Sequence, residues 1–331
     1  MSNANSQAKP LRSSLTSSQN DMHAVTTALL ADLIDYAGLF PPAALDMPTM
    51  TRSYAEHLAS EHAWMLSRVI VPVARLSEFE VGAETVLPRK VETQESHETS
   101  QAEPWRISAI TASPSDPAAF QTDLDRIDAF NSTHADGSLG CAVIDTIETK
   151  ITSTADIERA LDSIPDHIFP FFELPLDRDV RGMLAALAGD GGGKIRTGGL
   201  EPSLFPTVET VAHFIRLAAL ADAPFKATAG MHHPLRHVST TVSGATEHGF
   251  LNVFIAAALA HSEGIDEATI TTVLSETSLD AFTFSDAAIV WRDEYRLDAD
   301  ALEAARLAFA VSFGSCSFDE PIADLKQLGV L

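Results

Sequence analysis

Cysteine, lysine and long hydrophobic runs are all scarce in this chain of 331 residues, and each scarcity excludes something. The two cysteines, Cys141 and Cys316, form no Cys-x-x-Cys pair and are too few for a disulfide framework, which points to a reducing compartment. The longest apolar stretch, Phe250–Ala260, is too short to span a bilayer, and the first twenty residues lack the apolar centre of a secretory signal. A cytoplasmic protein with a flexible tail over residues 1–20 is the expectation. Lys and Arg number 22 against 46 Asp and Glu, a net charge of −24, so the surface as a whole repels nucleic acid and anionic membrane. Neither is expected as a partner. A small anionic substrate would have to be drawn in by a local cluster of positive charge; oligomeric state is left open, a homo-oligomer included.

What the chain does have is 45% apolar residues, enough for a large core, set out as short β-rich runs that alternate with stretches of helical periodicity. The candidate strands are Leu33–Leu39, Ser67–Val73, Trp105–Ala112, Gly140–Asp145, Ile168–Leu174, Gly193–Thr197, Pro224–Thr228 and Ala281–Ser285. Eight strands alternating with helices in one α/β domain over 21–331 favour a single (β/α)8 TIM barrel with a short C-terminal helical extension over a doubly wound sheet. Thr207 reads as the N-cap of a helix carrying Val208, Val211, Ala212, Ile215 and Ala219 on one stripe. Asp300 with Glu303 reads as a capping-box variant ahead of a Leu302–Phe309 helix that Gly314 ends, and Ser317 or Asp319 caps the last helix. The helix at Phe250–Ala260, apolar nearly all round, is expected to be buried. Residues 88–104 are polar and read as a mobile surface insertion. The loop Gly230–Glu247, after the seventh strand, is long for a βα connection and rich in histidine, which suits a functional loop.

Chemistry concentrates where barrel strands end. Lys194 and Lys226 occupy matching places on consecutive strands, and alternation puts Arg196 on the face of Lys194 and Thr228 on the face of Lys226. An inward lysine is costly unless it is paired or used. Asp145 and Glu173 end earlier strands with the same inward parity, so Lys194, Lys226, Asp145 and Glu173 form the expected catalytic set. Two carboxylates against three cations leave room for an anionic group, and two ammonium groups plus desolvation would lower a lysine pKa toward Schiff-base use. Expected substrate contacts are Arg196, Thr197, Thr228, His232, His233, Arg236, Asp35, Tyr36, His248 and Asn252. Asp35 and Tyr36, just ahead of Pro41-Pro42, suit either a plug at the barrel floor or a substrate-shaping loop.

The segments Lys194-Ile-Arg-Thr-Gly and Lys226-Ala-Thr-Ala-Gly resemble, over some forty residues, the two-lysine site of the class I deoxyribose-phosphate aldolase group of barrels. That resemblance implies that Lys194 forms a Schiff base, that Lys226 activates it and that Asp145 assists proton transfer. Two departures set this chain apart: Ala-Gly-Met-His-His follows the second lysine instead of Gly-Gly-x-Arg, and Arg196 stands where the family tends to a small residue.

The expectation is therefore a carbon–carbon lyase, or a related carbonyl-chemistry enzyme, with no cofactor. A metal-dependent hydrolase or lyase is the alternative, with His232, His233 and Glu173 as ligands to a divalent metal and His237 nearby. A non-catalytic barrel that binds an anion is the third reading. Cys316 finds no convincing His or Asp partner in the sequence.

Overall fold

A computed structural model describes residues 24–89 and 102–331; the tail over 1–20 and most of the 88–104 insertion lie outside these residues. The barrel is closed by eight parallel strands. In chain order the first seven are β1 (Ile34–Tyr36), β2 (Leu66–Pro72), β3 (Trp105–Ile110), β4 (Ala142–Lys150), β5 (Phe169–Glu173), β6 (Gly192–Arg196) and β7 (Phe225–Thr228). A short antiparallel pair, β8 (His237–Val238) and β9 (Thr246–Glu247), folds the long loop back on itself. Next come β10 (Phe282–Phe284), β11 (Ile289–Trp291) and β12 (Tyr295–Leu297), then β13 (Ala310–Ser315). The strand order around the barrel is β1-β13-β7-β6-β5-β4-β3-β2, with β1 also paired to β2.

The (β/α)8 expectation holds, but its eighth strand is β13 and not Ala281–Ser285. Phe282 to Phe284 instead pair antiparallel with Ile289 to Trp291 in a separate three-stranded sheet. The true strand is hard to see because its interior positions, Ser312 and Gly314, are small, leaving Phe313 to carry the outward apolar face. The fourth strand runs well past the expected Asp145, to Lys150, and its register slips beside Asp145, between the Ile107–Ile144 and Ser108–Thr146 pairs.

Thr207 does cap its helix, accepting from the Thr210 N–H at 3.3 Å, and Val211, Ala212, Phe214, Ile215 and Ala218 are buried against the barrel. The segment Pro202–Ala221 is long and apolar enough to cross a membrane by length and composition, which the sequence reading overlooked. The helix Phe250–Ser262 is buried throughout Phe250 to Ala260, and Phe250 stacks on Phe313 at 5.2 Å. Asp298, not Asp300, caps the helix Ala299–Ala308, accepting from the Ala301 N–H at 2.9 Å. That helix ends ahead of β13, so Gly314 is a strand residue and terminates nothing. The last helix, Asp319–Gln327, has Phe318 at its N-cap with no side-chain cap, so neither Ser317 nor Asp319 takes the expected position; Ser317 Oγ, one residue earlier, accepts the Glu320 N–H at 3.2 Å.

Candidate active site

The barrel interior is unusually charged. Strand alternation turns Asp35 of β1, Glu148 of β4, Lys194 of β6 and Lys226 of β7 toward one another. Lys194 and Lys226 stand directly opposite in the β6–β7 register, and Glu173 stands opposite Lys194 in the β5–β6 register. The two lysines share one carboxylate: Lys194 Nζ lies 2.7 Å from Glu148 Oε2, and Lys226 Nζ lies 2.5 Å from Glu148 Oε1. Lys226 is gripped from its other side by Asp35 at 2.6 Å, whose Oδ2 also accepts the Ser312 hydroxyl at 2.6 Å. Lys194 has Glu173 as its second partner at 3.1 Å, and Arg196 closes over Glu173 at 3.1 Å.

This arrangement corrects the expected pair of cations in two ways. Glu148 stands between the ammonium groups, so a shared carboxylate replaces the direct neighbourhood of like charges. The charge count also changes: Asp35, Glu148 and Glu173 face Lys194, Lys226 and Arg196, and the expected surplus of positive charge is gone. Burial alone would raise the Glu148 carboxyl and lower the Lys226 ammonium. The opposite charges around each outweigh burial, holding Glu148 far below its ordinary 4.5 and Lys226 above its ordinary 10.5. Glu173, likewise desolvated, is held low by Lys194 and Arg196.

Glu148 was missed because the fourth strand was ended at Asp145. The signal was present in Thr146-Ile-Glu-Thr149, where β-branched residues continue the strand pattern. Asp145 itself does not join the lysines. Arg68 grips it at 2.6 and 3.0 Å and Arg106 at 2.7 and 2.8 Å, nearer the N-terminal ends of β2 and β3. Burial tends to raise its carboxyl, but the two guanidinium groups pull it below the ordinary value.

Several expected substrate contacts are spent on holding the loops. Thr197 donates to the Ala229 carbonyl at 2.5 Å, fastening the β6 loop to the β7 loop. There Gly198 and Gly230 approach so closely that a Cβ on Gly198 would lie 2.6 Å from the Gly230 Cα. Asn252 is fully buried; it accepts the Arg236 N–H at 2.9 Å and donates to the Val273 and Glu276 carbonyls. His248 is buried too, its Nε2 2.8 Å from the Pro206 carbonyl, and burial pushes its pKa down to about 4. Tyr36 packs away from the interior, stacked near Tyr54 at 6.2 Å and edge-on to His57 at 5.1 Å. Asp35 is a buried partner of Lys226 and not a loop residue. Thr228 remains on the interior face, its Oγ1 3.5 Å from where a Gly314 side chain would begin.

The histidine loop does not gather a ligand set. His233 Nδ1 lies 2.5 Å from Asp324, His237 Nδ1 3.0 Å from the Leu235 carbonyl, and His232 Nδ1 3.2 Å from Glu320, while Glu173 is committed to Lys194 and Arg196. His232, His233 and Glu173 therefore do not converge. Among the described residues no group of three or more His, Cys, Asp or Glu is placed to hold a metal ion. Arg236 is different: its Nη1 is buried without a hydrogen-bond partner, and desolvation lowers its pKa from the ordinary 12.5. The chain matches no protein-family model and no curated protein, so the geometry of these residues has to carry the functional reading.

Proposed function

We propose that this barrel is a carbon–carbon lyase, or a related carbonyl-chemistry enzyme, in which Lys194 forms a Schiff base with a small anionic substrate. The observation that carries the reading is the Glu148 carboxylate shared by two buried lysines. A structural ion pair needs one lysine for one carboxylate; a chain of Asp35, Lys226, Glu148, Lys194 and Glu173 is suited to moving protons along its length. Lys226, only 1% exposed and held between two carboxylates, is the fixed member of the pair. Lys194 is the member next to Glu173 and Arg196, toward the C-terminal ends of the strands where barrel enzymes bind their substrates.

In this reading the Lys194 ammonium gives a proton to Glu173 or Glu148 as the substrate carbonyl arrives, and the neutral amine adds to the carbonyl carbon. The same carboxylic acid returns a proton to the departing hydroxyl, water leaves, and the iminium draws electrons from the adjacent carbon–carbon bond. Glu148, ionised and backed by Lys226, takes or returns the proton that bond cleavage or formation requires. The balanced interior offers no surplus charge, so recognition of an anionic group falls to Arg236, with its unpaired N–H, and to Arg196. Asp145, gripped by its two arginines, takes no part.

Borohydride reduction in the presence of small aldehydes and keto acids, read by intact mass, tests the reading. A covalent adduct in the native protein that is absent from Lys194→Met is the expected result. An adduct that persists in Lys194→Met would refute the assignment of Lys194, and no adduct with any carbonyl compound would leave an anion-binding barrel as the better description.

A further inference from the structure

Cys316 has no partner within its own stretch of chain, but the fold brings one. Cys316 follows β13 directly, in phase with Ser312 and Gly314. Ser312 reaches Asp35 in the interior, and a side chain on Gly314 would meet Ile70 and Thr228 there. Cys316 sits in the bend just beyond β13, at the rim to which β7 delivers His232. Cys316 Sγ lies 4.0 Å from His232 Nε2, and His232 Nδ1 lies 3.2 Å from Glu320 on the last helix. Cys316 is 9% exposed, and no disulfide engages it.

We propose that Cys316, His232 and Glu320 form a second reactive centre on the barrel rim, a thiol nucleophile with its own base for the carbonyl carbon of a small electrophilic compound. The order is that of a nucleophile, a base and a group that orients the base. Glu320 Oε2 stands 3.2 Å from the buried Nδ1 without hydrogen-bond alignment, and its charge favours the tautomer with the proton on Nδ1, which leaves Nε2 toward the sulfur as the acceptor. Burial, first, and the Glu320 charge raise the thiol above its ordinary value, so the resting sulfur keeps its proton, which moves only as the electrophile arrives. The sulfur–carbon bond forms as the carbonyl π bond opens; the thiol proton passes to His232 Nε2 and from there to the new oxygen, giving a thiohemiacetal without any further reactant. Nothing in this step uses Lys194, so it stands or falls apart from the Schiff-base reading.

Alkylation by iodoacetamide, followed residue by residue by peptide mass spectrometry on the full-length protein, tests it, with the buried Cys141 as an internal reference for an intact fold. Cys316 should react faster than Cys141 at neutral pH. His232→Ala and the bulkier His232→Gln should each slow Cys316 by about tenfold or more, although the alanine opens the space beside the sulfur, and Glu320→Gln should slow it less. Cys141 should stay slow in all of them. A Cys316 rate that is unchanged or higher in both His232 variants, with Cys141 still protected, would overturn the proposal.

Discussion

Two charged clusters occupy the inside of one barrel, and they are built differently. Near the N-terminal ends of the strands, Arg68 and Arg106 pin Asp145 through paired, planar contacts. About 10 Å farther along β4, Glu148 is shared by Lys194 and Lys226. Guanidinium groups stay charged at any ordinary pH and lock a carboxylate in two-pronged geometry, so the lower cluster is a clasp. Lysines are compact, titratable donors, and here two of them share one carboxylate, which is what the proposed Schiff-base chemistry would draw on. The difference teaches where to look for chemistry in a charged core: at lysine held by carboxylate, not at carboxylate held by arginine.

The strongest way to break that comparison is to remove the central carboxylates one at a time. Glu148→Ala leaves two buried ammonium groups facing each other and should cost about 3–5 kcal/mol in denaturant unfolding, with loss of borohydride trapping. Asp145→Ala should cost less, on the order of 1–3 kcal/mol, because Arg106 is partly exposed and can turn to water; trapping should survive. Equal costs, or loss of trapping in the Asp145 variant, would erase the distinction between clasp and centre.

Stability against pH sharpens it next. A carboxyl depressed in the fold contributes stability that is complete above its unfolded value and is lost as pH falls through the folded one. Glu148 and Asp145 are both depressed, so unfolding free energy should fall below about pH 4.5, and Glu148→Gln should flatten this acid limb more than Asp145→Asn. Lys226 works at the other end: raised above 10.5, its contribution is complete below that value and lost only as pH climbs past the folded pKa. His248, buried and neutral with a pKa of about 4, gives a slope of its own. It stabilises fully above the unfolded value near 6.5 and loses up to about 3 kcal/mol as pH falls from there toward 4, a slope that His248→Phe should remove.

The smallest effect is expected at the rim. Lys150 reaches Glu173 at 3.7 Å but is 72% exposed, so Lys150→Ala should change stability by less than about 1 kcal/mol. A larger loss would mean that the lysine–carboxylate cluster extends to the surface.

The strand pair carrying Lys194 and Lys226 was legible from alternation alone, because both lie in short, regular strands where parity has only one reading. Asp145 and Glu148 show where that rule stops. They are three residues apart, an odd separation, yet both face the interior, because the register slip beside Asp145 resets the parity of β4. Reading the strand without the slip put Asp145 with the lysines and left Glu148 unseen. The eighth strand failed for a related reason: Phe282 and Phe284 alternate as a barrel strand would, but the sheet they join is antiparallel and stands apart from the barrel.

The amino-acid sequence by itself determined the alternation of strands and helices, the inward face of each regular strand, the buried helix at Phe250 and the cap at Thr207, since each follows from spacing within a few neighbouring residues. Only the tertiary structure decided which carboxylate meets which cation. Glu148 reaches Lys226 across 78 residues, Asp35 reaches Ser312 across 277 and Cys316 reaches His232 across 84. Such pairings depend on how strands order and register around the barrel, and no local periodicity records which partner the closing of the ring will bring within reach.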